Sequence, residues 1–459
     1  MENNNYKKYI FGLAGILIFV VAVFLSIRED VFSSEYRISS ELRSNHVAYL
    51  EGEEIDVGEI YDGFNVLEYG EGFLFEGYFV RGLRHGLGVL TTPFFIYEGY
   101  FEYDVKSGHG VMTFTDGASY IGYWQDNRPH GDGIFISATD DQIEGSWIEG
   151  ILDGFAFVIY RNNSIYLGDW QSGLPHGQGE YRSTLGFTYR GEFRDGLRHG
   201  SGRFYHNGRL EYSGSWRYDR RSGFGIYRTP NGFVYEGSWL NDLRHGLGTL
   251  TYPDGSTYVG NWQDDRQHGH GRFENTVDEW TYEGNWFHGI KQGQGEIRFL
   301  EGSFYIGEFY ANQMHGRGRY VSSEGWTYEG DFVRGIREGQ GLYTFANGST
   351  YEGGWLAGLE HGHGIHHDIS GWTYEGGWNA GRKYGMGLLT HMDGSTHTGM
   401  FANNQPHGHG IRTYHDENGI YFATYEGDFA YGRRHGTGRL TYVSGHTISG
   451  RWQNDDFMD

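Results

Sequence analysis

Long stretches of this chain alternate in a two-residue rhythm that belongs to strands rather than helices. In YEGSW, Tyr235, Gly237 and Trp239 fall on one face and Glu236 and Ser238 on the other. Farther along the same copy Gly246, Gly248, Leu250 and Tyr252 share a face by that period, and LNDLRH between the two runs reads as a loop that needs no core. Asp-Gly, Asn-Gly and Ser-Gly dipeptides stand just before the next tyrosine, as at Asp254-Gly255 and Asn347-Gly348, and mark tight turns by their tolerance of positive φ. The pattern predicts a β-hairpin with an aromatic and glycine face and a polar face.

The hairpin recurs. Aligning on Tyr-x-Gly-x-aromatic, with Gly-x-Gly beginning eleven positions after the Tyr, gives starts at Phe75, Tyr97, Tyr120, Ile143, Tyr166, Tyr189, Tyr212, Tyr235, Tyr258, Tyr282, Tyr305, Tyr328, Tyr351, Tyr374, His397, Tyr425 and Ile448. The step is 23 residues, with one step of 22, one of 24 and one of 28 where five residues enter near YHDENGIYFATYEG. Two positions before the Tyr, Phe187, Phe233, Trp280, Trp326 and Trp372 alternate with Ser164, Leu210, Ser256, Ser303 and Ser349. Large and mostly small side chains can interdigitate in that order, which makes a pair of hairpins the unit.

These residues closely resemble MORN repeats: YEGSWLNDLRHGLGTLTYPDG from Tyr235 is a full match, and YEGGWLAGLEHGHG and YEGDFAYGRRHGTG repeat its landmarks. The resemblance covers residues 75–459 and implies a meander of consecutive antiparallel hairpins, with roles in scaffolding, self-association and membrane-proximal tethering. It implies no substrate. The expected fold is therefore all-β, an elongated, solenoid-like antiparallel array of about seventeen repeats. At a spacing of about 4.8 Å, its strands would trace a sheet path on the order of 150 Å.

Ahead of the array the chain changes character. Residues 9–27, YIFGLAGILIFVVAVFLSI, carry no charge over nineteen positions, enough for a transmembrane helix of roughly 28 Å. They read as a signal-anchor, since no A-x-A-like cleavage site follows. Lys7 and Lys8 precede the span, while Arg28 after it is followed by Glu29 and Asp30, so residues 1–8 are assigned to the cytoplasm and the array to the other side. Residues 28–54 read as a polar linker and 55–74 as an imperfect capping hairpin.

Composition narrows the function. Seventy-eight glycines beside 18% aromatic residues and six prolines fit neither collagen nor disorder. A formal net charge of −23 argues against a nucleic-acid partner, and the lack of cysteine removes disulfides, thiolate metal sites and cysteine nucleophiles. Histidine pairs of the HGHG type occur at His268 and His270, His361 and His363, and His407 and His409, a spacing that on a strand could aim two imidazoles at one metal. The first of each pair is the repeat's own His-Gly landmark, as at His85, His199 and His245, which gives it a structural reason to recur.

Glutamate at the second position of nine copies, among them Glu76, Glu98, Glu144, Glu236 and Glu426, is periodic, whereas an active site is a single unrepeated cluster. In intervening copies the same position is Ile121, Leu167, Val259 or Ile306, which reads as β-propensity on an exposed strand or as a stripe for a partner. The irregular place is the insertion with His415, Asp416 and Glu417.

The reading that results is a non-catalytic, membrane-anchored scaffold or protein-interaction array, a single-pass membrane protein with extracytoplasmic repeats. It has protein partners and scope for self-association, with no nucleic acid, catalytic residue, cofactor or metal. The alternative is a glycan or cell-wall binding repeat protein, and ring exposure separates the two, since rings interlocked in rows are core.

Overall fold

The structure, a computed structural model, describes residues 62–70 and 72–459. The proposed anchor at 9–27, the linker at 28–54 and the first part of the capping segment lie outside the described residues. All regular structure among the described residues is β, in thirty-five strands. They fall into two compact units, one with residues 62–65 and 78–83 and the other with 66–77 and 84–459. In the first, Phe64 meets Tyr78 edge-on at 5.6 Å. The second holds the regular array.

Each of the seventeen starts lies in a strand that is followed, after two residues, by another strand. From the strand Phe95–Glu102 to the C-terminal Asp456–Phe457, each strand pairs antiparallel with the next in sequence. All partners are therefore local, and glycine faces glycine along the centre of the sheet, as in Gly237 with Gly248 and Gly248 with Gly260.

The segment LNDLRH is mostly strand, which corrects its reading as a loop. Leu240 pairs with Leu243 and Trp239 with Arg244, leaving only Asn241 and Asp242 in the turn, with φ of 51° and 71°. Positive φ at both turn positions matches the right-handed twist of the flanking strands, and Asn and Asp tolerate it. The expected turns at Asp-Gly are also present, between copies rather than within them: Gly255 has φ of 89° and its amide bonds to the Tyr252 carbonyl at 3.0 Å.

A second correction concerns Gly246. The pairing jumps from Gly237–Gly248 to Trp239–Arg244, so three residues of one strand face Ser238 alone. Gly246 sits in this bulge with φ of 70°, and a Cβ there would meet the Ser238 side chain. It is turned to the face away from Gly248, because a left-handed residue breaks the simple alternation.

The core is the aromatic face. Tyr235, Trp239 and Leu250 are buried, and the Tyr235 ring lies over the glycine pair: a Cβ on Gly237 or Gly248 would come within 2.7 Å or 2.3 Å of its hydroxyl oxygen. The hydroxyl donates to the Ser238 carbonyl at 2.9 Å. Edge-on contacts at 5.1 Å to Trp239 and 5.4 Å to Trp262 carry the row into the next copy. The alternating row two positions earlier is also present, in modified form. Ser256, Ser303 and Ser349 are buried, while Trp280, Trp326 and Trp372 are only half-buried at the rim. The serines have a second task that size does not predict, accepting an amide from the next turn, as Ser303 does from Ser323 at 3.0 Å.

Candidate interaction surface

Neighbouring copies are clamped together on the aromatic face by a cation that the periodicity places but whose contacts only the fold reveals. Arg244, nine residues after Tyr235, puts its guanidinium 4.2 Å from the centre of the Trp262 ring in the next copy. Its Nε and backbone amide both donate to Asp265 Oδ1 at 2.9 Å, and Nη2 donates to the Asp265 carbonyl at 2.7 Å. The same clamp joins Arg198 to Asp219 and Trp216, Arg221 to Asp242 and Trp239, and Arg434 to Asp455 and Trp452. In the copies whose rim residue is Trp280 or Trp372, lysine replaces arginine, whereas beside Trp326 Arg337 is kept. Lys291 lies 4.0 Å over Trp280 and Lys383 4.1 Å over Trp372, and burial lowers both amines to about 8. A partly desolvated cation on a ring contributes about 1 to 2 kcal/mol. The signal, a basic residue before His-Gly, was visible in the sequence without its partner.

The His-Gly landmark has a matching role on the sheet margin. His85 packs 4.7 Å from Tyr103, His199 5.2 Å from Tyr218 and His268 5.2 Å from His288. In each case the partner is the first turn residue of the next copy. His245 reaches Asp264 at the equivalent turn position, 3.9 Å away. The landmark is an inter-copy contact. In the HGHG pairs the intervening glycine is the left-handed bulge residue, with φ of 62° at Gly269, so the alternation that would aim His268 and His270 together is broken. Among the described residues no group of three or more His, Asp or Glu could hold a metal ion.

The other candidates are also placed. Glu236 lies exposed on the face opposite the rings, between Ile226 and Thr249, and Glu426 lies exposed between Ile411 and Arg439. Glu144, half-buried, has its carboxyl pushed up by burial and by Asp132. The apolar members of that row are not equivalent: Leu167 is buried and Ile121 half-buried, whereas Val259 and Ile306 are exposed. In the insertion, Asp416 Oδ1 accepts the amides of Asn418 at 2.9 Å and Ile420 at 2.8 Å, so this carboxylate builds the turn. His415 lies 5.7 Å from Tyr421, and Glu417 is exposed. Two shallow depressions of about 390 Å³ and 420 Å³ lie near Trp280 and Tyr160. Both are open at the margin and neither joins the residues singled out above.

One position departs from every neighbour. His397 takes the place of the core tyrosine and is 1% exposed, with neither ring nitrogen hydrogen-bonded. Burial first, then Arg412 and His391, lowers its imidazole to about 3.

A protein-family model described as MORN repeat matches residues 75–93, 97–119, 120–142, 166–184, 189–208, 212–234, 235–257, 258–275, 282–303, 305–327, 328–350, 351–373, 374–396, 397–419 and 425–447. The copies starting at Ile143 and Ile448 are unmatched, although both fold as paired strands. No curated protein matches the chain. Among solved structures, the G-box domain of the microcephaly protein CPAP aligns at 11% identity over 50% of this chain and 100% of its own, with a TM-score of 0.17. The SAS-4 (dCPAP) TCP domain of Drosophila melanogaster, solved with a proline-rich motif of Ana2, aligns at 9% identity over 50% of this chain and 90% of its own, with a TM-score of 0.20.

Proposed function

The chain belongs to the MORN-repeat family, and from that premise we propose that it is a non-catalytic scaffold, held to a membrane by residues 9–27, whose repeats bind protein partners outside the cytoplasm. The observation that carries this reading is the division of labour between the two faces. The rings, glycines and clamping cations of the array are spent on contacts between copies, while the opposite face runs from copy to copy as a changing row of side chains, exposed at Glu236, Val259, Ile306 and Glu426 and buried at Leu167. Such a surface offers many places to bind and none where reacting groups converge. Burial of the tyrosine and tryptophan rows also weighs against the glycan reading, which needs those rings free to stack on sugars.

The basic flank Lys7 and Lys8 supports the direction of insertion. Protease added to intact cells should digest or release the repeats. Lys7→Glu and Lys8→Glu with two lysines added after Ile27 should invert or scramble the topology. Repeats cleaved only after detergent would make the array cytoplasmic and overturn the assignment of side.

A further inference from the structure

The charge of the array is unevenly spread. Residues 182–228 carry ten arginines and no lysine against four acidic residues, a local balance of +6 in a chain of formal net charge −23. On either side the sign reverses: residues 84–181 hold thirteen acidic and four basic residues, and residues 229–459 hold twenty-eight acidic and sixteen basic residues. Arg198 and Arg221 belong to the clamp on the aromatic face. Arg190, Arg194, Arg203, Arg217, Arg220 and Arg228 lie on the opposite face, since their neighbours or cross-strand partners, such as Tyr189, Phe193 and Trp216, alternate into the core.

The register sets these arginines against one another. Arg190 stands directly across from Arg203, and Arg217 directly across from Arg220. Like charges so placed weaken a sheet. At the second pair no acid among the described residues relieves this. Glu180 is shared between Arg182 and Arg190, and Arg194 reaches its own neighbour Asp195 at 3.7 Å in a pair exposed on both sides. Arg217 and Arg220 have no ion-pair partner among the described residues, and Asp219 between them is taken by Arg198 on the other face.

We propose that this arginine belt is the docking site for an acidic polypeptide segment of a partner protein. Guanidinium groups bind carboxylates in paired, bidentate fashion, and a partner's carboxylates would relieve the repulsion that the folded chain leaves in place. The width of the belt selects the occupant. Its five strands, from Leu174–Arg182 to Arg220–Arg228, cover about 24 Å at about 4.8 Å per strand. An extended acidic segment fits inside that width, while an anionic bilayer or a long nucleic acid would overrun the acidic flanks and be repelled.

This inference rests on the scaffold reading and narrows its partner, and it is tested with the full chain in detergent and a fluorescein-labelled decaglutamate peptide. Fluorescence anisotropy should show saturable binding that weakens as salt rises. Arg217→Glu with Arg220→Glu should weaken binding by about tenfold or more while the unfolding midpoint stays in place. Arg317→Glu with Arg319→Glu, in an acidic flank, should leave binding unchanged. Absence of peptide binding, equal losses in both double variants, or tighter binding of phosphatidylserine vesicles or of an RNA oligomer would overturn the belt as a peptide site. The scaffold reading would then still stand or fall on the protease experiment.

Discussion

Two interior copies break the motif at its central ring, and they do so in opposite ways. In a regular copy Tyr258 is fully buried over Gly260 and Gly271, with its hydroxyl donating to the Asn261 carbonyl at 2.9 Å. In the copy at Ile143 the ring is gone and the second glycine of the pair has become Ala156, which is buried. A short side chain does not reach across the strands, so a methyl group occupies the space and no polar atom is left over. In the copy at His397 both glycines, Gly399 and Gly410, remain. Their space is filled by an imidazole wedged edge-on between Phe401 at 5.2 Å and Phe429 at 4.6 Å. The ring is retained but the hydroxyl is not, and two ring nitrogens are buried without a partner. The glycine pair is thus a socket in which size and polarity are matched separately: Ile143 meets both requirements with Ala156, and His397 meets only the first.

The largest effect is expected in a regular copy. Gly260→Val should destabilise by about 3 kcal/mol in urea titration, because a Cβ would stand 2.5 Å from the Gly271 Cα and 2.7 Å from the Tyr258 hydroxyl. A loss below about 0.5 kcal/mol would show that the ring does not need the socket.

Acid should act on the His397 copy next. An unfolded histidine titrates near 6.5, and burial holds the folded imidazole at about 3. Between those values the unfolded chain binds the extra proton, so this contribution is intact above pH 6.5 and is lost as pH falls toward 3. At pH 5 the loss is about 2 kcal/mol. His366 and His391, lowered by the same cause, act with the same sign. Histidine NMR titration in the folded protein would sink this account if His397 protonated above about pH 6.

His397→Tyr sharpens the point. It should add about 1 kcal/mol at pH 7 by restoring a hydroxyl that can donate to the Met400 carbonyl, and it should remove much of the acid sensitivity. A variant less stable than the wild type at both pH values would mean that the socket has closed around the smaller ring.

The smallest expected contrast lies in one turn. Asp265→Ala should cost about 1 kcal/mol, since its carboxylate accepts two bonds from Arg244, whereas Asp264→Ala should stay within about 0.5 kcal/mol. Equal midpoints for the two variants would remove the clamp from the account of how copies adhere.

How much of this was legible depends on the distance over which each constraint acts. The number of copies, the all-β class and the aromatic face could be read from the chain alone, because alternation and the 23-residue step are properties of residues close in sequence. The same locality explains why the copies at Ile143 and His397 could be aligned despite their lost tyrosine, since Gly145, Trp147, Gly399 and Phe401 keep the step. Three features needed the tertiary structure. LNDLRH became strand because a left-handed glycine in the bulge absorbs the extra residues that alternation by itself would count against pairing. The Arg244–Asp265 clamp joins residues 21 positions apart in different copies, which a motif aligned within one copy cannot display. The arginine belt depends on register: only the pairing of one strand with the next sets Arg190 against Arg203 and Arg217 against Arg220, and a slip of one residue would have turned these side chains to the other face.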